Sequence, residues 1–115
     1  MSSARQRGFD GEQQAATFLQ RRGFVIIERN WHCREGELDL VTTLNQTWVF
    51  VEVRYRRRGH ATAIESVNQR KIRRLVHAAH HYLLTHQLDD VDWRIDVVVV
   101  AENGISHIPN AIELA

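Results

Sequence analysis

The sequence predicts an α/β fold: a mixed central sheet of about five strands flanked by helices, with elements in the order α-β-β-β-α-β-β. Two segments carry apolar residues at helical spacing. Between them lie two β patterns joined by a short turn signal, and after them comes an apolar run of the kind a doubly covered strand needs. The chain has 115 residues, which fits a single domain spanning 1–115 and is enough to bury one core without disulfides.

In chain order, Ser2 and Ser3 are candidate caps for a first helix that reaches about Arg22, where Gly23 provides a stop. Phe9, Glu12, Ala16 and Leu19 share one face of it. Phe24 to Ile27 is a short apolar strand, and Asn30 to Gly36 reads as a polar loop. Glu37-Leu38-Asp39-Leu40-Val41 alternates strictly, and Trp48 to Tyr55 is β-branched and aromatic. Asn45 and Gln46 between them suit a tight turn. After Gly59, the positions Ile64, Val67, Ile72, Leu75, Val76, Ala79, Tyr82 and Leu83 mark an amphipathic helix to about His86. Trp93 to Val100 is a strand of the buried type, and Ile105 to Ile108 an edge strand stopped by Pro109.

Bulk properties narrow the function classes. Cys33 is the single cysteine, so no internal disulfide can form and a reducing, cytoplasmic setting is expected. No apolar run approaches the ~20 residues of a membrane span, and Met1 to Arg7 lacks the apolar stretch of a secretory signal. Net charge is only +1, but Lys71 is the one lysine, so the other fourteen of the 15 cations are arginine. Arg54, Arg56, Arg57 and Arg58 cluster after a strand, and Arg70, Lys71, Arg73 and Arg74 follow on the next helix. The planar guanidinium suits bidentate phosphate contacts, which makes nucleic acid the expected partner.

The hairpin carries the chemistry. With Asn45 and Gln46 as its loop, Leu44 pairs with Thr47, Asp39 lies across from Glu52, and Glu37 lies across from Arg54. Opposed residues of an antiparallel pair share a face with Cβ atoms about 5 Å apart. A three-residue loop would send Asp39 and Glu52 to opposite faces. Two carboxylates ~4 Å apart repel by about 4 kcal/mol at an effective dielectric near 20. Glu52 also lies in one of the most apolar stretches, where an unpartnered acid is costly. A divalent cation between Asp39 and Glu52 resolves both problems, and oxygen donors select Mg²⁺ or Mn²⁺. Glu12, in the apolar stripe of the first helix, points to the same centre. Phosphodiester hydrolysis fits such a site. Glycoside cleavage does not, because acids directly across a hairpin leave no room for a sugar.

Together these residues resemble a family. Gly8-x-x-Gly11-Glu12, Asn30 with Arg34, Gly36-Glu37-Leu38-Asp39-Leu40 and Phe50-Val51-Glu52-Val53-Arg54 resemble the YraN-like family of uncharacterised bacterial proteins. Val67, Lys71, Ala78, Tyr82 and Leu83 resemble its helix motif, and Arg94-x-Asp96-Val97-Val98 its late strand. That family is similar to archaeal Holliday-junction resolvases and to the PD-(D/E)xK nucleases. The resemblance implies a restriction-endonuclease-like fold, a divalent metal held by Asp39 and Glu52, Glu12 as the helix glutamate, and a structured-DNA substrate. Resolving a junction requires two copies, hence a homodimer, although no stretch identifies an interface.

In one position the chain departs from the superfamily: Arg54 stands where lysine is usual, and arginine does not readily give up a proton. Lys71 is the alternative source of an ammonium, unless it merely snorkels at the sheet boundary. Glu37 and Glu12 are further ligands or water-orienting groups. Arg34, Arg56, Arg57, Arg58, Arg70 and Arg74 are the nucleic-acid contacts. His77 and His81 have the i, i+4 spacing of a zinc pair but no evident third ligand, so a solvated face is the expectation. Trp48, Phe50 and Trp93 are assigned to the core, whereas Trp31, in the polar loop, could stack on a base. Two rivals to a nuclease are a silent nucleic-acid-binding module and a protein-interaction scaffold.

Overall fold

The computed structural model describes residues 4–56 and 69–112, with side chains from residue 10 in the first stretch. Its elements are α1 (Ala4–Arg21), β1 (Val25–Cys33), β2 (Gly36–Leu44), β3 (Thr47–Arg56), α2 (Gln69–Thr85), β4 (Asp92–Ala101) and β5 (Gly104–Ile108). This is the expected order. The caps Ser2 and Ser3, the Phe9 side chain, Arg57, Arg58, Gly59, Ile64 and Val67 lie outside the described residues. No described helix is long and apolar enough to cross a membrane.

One five-stranded sheet runs β1-β2-β3-β4-β5 in space. Its pairs are antiparallel except β3–β4, which is parallel, as the crossover through α2 between them requires. The strands alternate, so each face of the sheet collects its own core. On one face, Ala15, Ala16 and Leu19 of α1 pack on Leu40, Val49, Val51, Val98 and Val100. On the other, Leu75, Ala78, Ala79, Tyr82 and Leu83 of α2 pack on Val41, Phe50 and Ile95. Phe50 is buried, and Trp48 and Trp93 pack against the α2 core, as expected of them.

Both helices end by the same device. Gly23 adopts φ 95°, its N–H donates to Gln20 O, and Phe24 N–H donates back to Leu19 O at 3.1 Å. At the end of α2, Gln87 adopts φ 57°, and Leu88 N–H donates to Leu83 O at 2.8 Å. A left-handed residue followed by this six-to-one bond satisfies carbonyls that the helix leaves over. Glycine takes the left-handed position at the first stop; at the second, which falls at Thr85 and close to the expected His86, glutamine takes it.

The first strand is longer than its apolar core. Instead of a loop from Asn30 to Gly36, β1 continues to Cys33 and leaves only Arg34 and Glu35 in the turn. Two features hide it. Its pairing slips between Ile26 and Glu28, which resets the alternation, and Asn30 adopts φ 53°, a conformation asparagine tolerates. Polar side chains cost little here because β1 is an edge strand, paired on one side only.

β4 carries a buried charge with a complete set of partners. Asp96 is fully buried, and it accepts hydrogen bonds from Arg94 Nε at 2.9 Å, Arg94 Nη2 at 3.2 Å and the Asn110 N–H at 2.8 Å. His107 Nε2 of β5 lies 2.7 Å from Oδ2, the oxygen that also accepts from Arg94 Nη2. One carboxylate therefore joins β4, β5 and the segment beyond Pro109. Removing it leaves the donors unpaired in the interior, so Asp96→Ala is expected to lower unfolding free energy by about 3–5 kcal/mol. Urea denaturation measures this, and a loss below about 1 kcal/mol would mean the network contributes little.

Candidate functional site

The β2–β3 hairpin has the register read from the sequence, but only for part of its length. Asn45 turns with φ 54°, Leu44 opposes Thr47, and pairing proceeds regularly to Leu40 opposite Val51. There the ladder stops, one pair short of Asp39 and Glu52. Beyond it, β2 stays with β1 (Trp31 opposite Leu38, His32 opposite Glu37), and β3 stays with β4 through Arg56 opposite Ala101. The two central strands part like the arms of a fork.

Asp39 stands at the crotch of that fork. Leu38 belongs to the α2 core and Leu40 to the α1 core, so the regular alternation breaks between them. The Asp39 carboxylate turns toward β3, where Oδ2 accepts the Val53 N–H at 2.8 Å. A side chain thus takes over a bond that the ladder would otherwise make. The Val53 donor is a functional group no side-chain pattern announces.

Glu52 lies beside it, 4% exposed. Its Oε1 has two cations at 3.5 Å, Lys71 Nζ from α2 and Arg54 Nε from β3. Its Oε2 is buried with no hydrogen-bond partner. Lys71 is therefore not a bystander at the sheet boundary; the helix brings its ammonium to the acid. Glu37, expected to meet Arg54, instead has His32 Nδ1 at 3.3 Å, half-exposed.

Electrostatics tie these groups together. Burial pushes the Asp39 carboxyl up from 3.8 to about 8, and the charges of Glu52, Glu12 and Glu37 add to this against the Val53 N–H. Burial also raises Glu52, opposed by Lys71 and then by Arg54. Glu12 is raised by burial too, against a hydrogen bond from the Asn30 side chain. So α1, β2, β3 and α2 each send a charged group to one place. The opened fork is what lets Glu12, on one face of the sheet, and Lys71, on the other, address the same acid pair.

What this arrangement lacks is positive charge of the right reach. Buried Glu52 and half-buried Asp39 stand together, one Glu52 oxygen has no hydrogen-bond partner, and every ligand atom on offer is a hard oxygen. The set fits a small divalent cation such as Mg²⁺ or Mn²⁺, which is commonly held by one or two carboxylates and completed by water or phosphate. Asp39, Glu52, Glu12 and Glu37 do not close into a cage. Among the described residues, the set of three potential ligand atoms within 4.8 Å of one another lies elsewhere, at Cys33, Glu35 and His81.

Beside the acids runs a cleft of about 350 Å³ lined by His32, Cys33, Arg34, Gly36, Glu37, Lys71, Arg74 and Leu75. Of the arginines expected to meet nucleic acid, Arg34 and Arg74 line it. Arg70 is exposed nearby on α2, while the Arg56 guanidinium donates to Tyr55 O at 2.9 Å. The cleft is narrow at Gly36, where a Cβ would come within 3.2 Å of the Arg74 carbonyl oxygen. Trp31 is not a free platform for a base. It sits in β1 with its ring edge-on to Tyr82 and His81 at 5.2 and 5.6 Å.

A carboxyl raised on folding gives a pH signature of defined sign. Folded Asp39 keeps its proton where the unfolded chain has lost it, so its contribution to stability is complete below about pH 4 and is lost as pH rises through about 8. In divalent-free buffer the slope from this group reaches up to about 1.4 kcal/mol per pH unit within that window. Asp39→Asn is expected to remove that slope and to make the protein more stable than wild type at the alkaline end. Urea titrations across the window test this; a variant that keeps the wild-type slope would exclude Asp39 as its source.

Comparison with known proteins agrees with the motifs read from the sequence. A model described as "Uncharacterised protein family UPF0102" matches residues 11–100. The chain is 48% identical over 101 residues to a UPF0102 protein of Chloroflexus aurantiacus, covering 87% of this chain and 82% of the relative. It is 44% identical to one of Nitrosomonas europaea, covering 98% of both, and 36% identical to one of Persephonella marina, covering 94% of both. The matched span includes Glu12, Asp39, Glu52, Arg54 and Lys71. The chain belongs to the uncharacterised UPF0102 family, the YraN-like family its motifs resemble.

Proposed function

We propose that this protein is a metal-dependent nuclease-fold protein that binds structured DNA and hydrolyses its phosphodiester bonds. The observation that carries the reading is Glu52. It is a buried carboxylate with one oxygen unpartnered, set beside an Asp39 that resists ionisation, and its partner Lys71 lines a neighbouring cleft with Arg34 and Arg74. A structural ion pair accounts for Oε1 and its two cations. It does not account for Oε2 or Asp39.

Asp39 and Glu52 would hold Mg²⁺ or Mn²⁺. Once bound, the ion supplies an acidified water and charge stabilisation at the phosphoryl oxygens. The chain's own residues do the rest. Asp39 would lose its proton to solvent on taking the cation, which would couple loading to pH. Lys71 Nζ, 3.5 Å from Glu52, can orient the attacking water or donate to a non-bridging phosphate oxygen. Arg54 stays protonated and serves as a charge stabiliser, not as a base. Glu12 and Glu37 orient water from the α1 side and the cleft side. Arg34 and Arg74 hold the flanking backbone, with Arg56 and Arg70 at its margin.

One observation favours a second reading. With Arg54 in the strand position and both nearby cations on Glu52 Oε1, that oxygen is already neutralised. A silent module that grips DNA without cutting it would be built this way.

The two readings separate in solution. Mn²⁺ or Mg²⁺ is expected to raise the melting temperature of wild type and not of Asp39→Asn. Branched DNA in Mn²⁺ is expected to be cut, with Lys71→Ala slowing cleavage by about 100-fold or more while DNA affinity changes little. Arg34→Ala and Arg74→Ala should each reduce the salt dependence of binding by about one unit of slope. Binding without cutting selects the silent module. The absence of binding at low salt rejects nucleic acid as the partner.

A further inference from the structure

On the far side of the cleft from the acids is a second cluster of ligating groups with a different chemistry. The last residue of β1, Cys33, and Glu35 in the turn after it meet His81 of α2, 46 residues beyond Glu35. His81 Nδ1 lies 3.1 Å from Glu35 Oε2, and Glu35 also accepts a hydrogen bond from the Cys33 thiol. One donor atom from each of the three residues lies within 4.8 Å of the others. Cys33 is half-buried at the edge of the α2 core, whereas Glu35 and His81 face solvent.

From the geometry and the donor set we infer that Cys33, Glu35 and His81 form a binding site for a borderline-soft divalent ion, zinc above all, distinct from the acidic centre. Zinc takes bonds of about 2.0–2.3 Å, which in tetrahedral geometry separate neighbouring donors by about 3.3–3.6 Å. The 3.1 Å already present between His81 and Glu35 is close to that, so small side-chain adjustments complete the triangle. Sulfur, imidazole and carboxylate together select zinc over Mg²⁺, and the all-oxygen acidic pair selects the reverse. Three protein ligands leave a fourth position for water. The Trp31 ring, edge-on to His81 at 5.6 Å, helps fix the imidazole.

A zinc ion here clamps the β1–β2 turn to α2, the helix that delivers Lys71. This resolves the histidine pair of α2: His81 is a ligand through tertiary contact with Cys33 and Glu35, while His77, one turn earlier, is not needed.

The full chain, stripped by chelation, is titrated with Zn²⁺ against a chromophoric competitor and, separately, with Co²⁺, whose thiolate charge-transfer band reports a metal–sulfur bond. Uptake of one zinc per chain is expected, with a thiolate–cobalt band. Cys33→Ser should abolish the band, Cys33→Ser and His81→Ala should each weaken binding by at least about tenfold, and Asp39→Asn should retain both properties. Saturating Mg²⁺ should not displace the zinc. The proposal is overturned by absence of zinc uptake at large excess, by binding that survives both ligand substitutions, or by binding lost in Asp39→Asn, which would place the ion at the acids. Circular dichroism of each stripped variant separates ligand loss from unfolding. Because the readouts involve no DNA, the result stands apart from the nuclease reading.

Discussion

Beyond Leu40 and Val51, two neighbouring strands of one sheet stop pairing with each other. The strands stay in place because each has another partner: β2 is held by β1 and β3 by β4. One donor that faces the opening, the Val53 N–H, is met by the Asp39 carboxylate. That bond fixes the acid in place, and the opening gives helices on opposite faces of the sheet access to one point. Had β2 and β3 remained zipped, Glu12 and Lys71 would have faced each other through an intact sheet.

The same opening explains why the acids are so unfavourably placed. Asp39 and Glu52 are withdrawn from water by the elements that position them, and both resist ionisation chiefly for that reason. Local instability of this kind is characteristic of sites built for a ligand and not for the stability of the fold. Asp96 is the contrast within the same sheet. It is buried still more completely, but its oxygens are met by Arg94, His107 and the Asn110 N–H, and that carboxylate acts as a fastener.

Much of this was legible in the sequence because it rests on short-range rules. The strand pair and its register from the turn to Leu40 opposite Val51 follow from alternation about a two-residue turn, and α1 from its periodicity and Gly23. What escaped depends on contacts distant in the chain. Neither alternation nor propensity says that the ladder stops at Leu40, since that depends on how firmly β1 and β4 hold the outer arms. The length of β1 was hidden by a pairing slip and by polar residues on an open edge, and this put Trp31 in a loop when it packs on Tyr82. Lys71 could be assigned to a helix face, but its reach to Glu52 depends on where the crossover sets α2 on the sheet.

Gly36 sets that placement. With no side chain, it lets the start of β2 lie against the backbone of α2 at Arg74, where a methyl group would need the helix to give by a few tenths of an ångström. The spacing between hairpin and helix is therefore governed at a single atom's width. Both the ammonium that reaches Glu52 and the imidazole that reaches Glu35 are carried on the helix side of that contact. Two centres of unlike chemistry thus share one mechanical tolerance, and a shim inserted at position 36 would detune both together without altering any group that takes part in either.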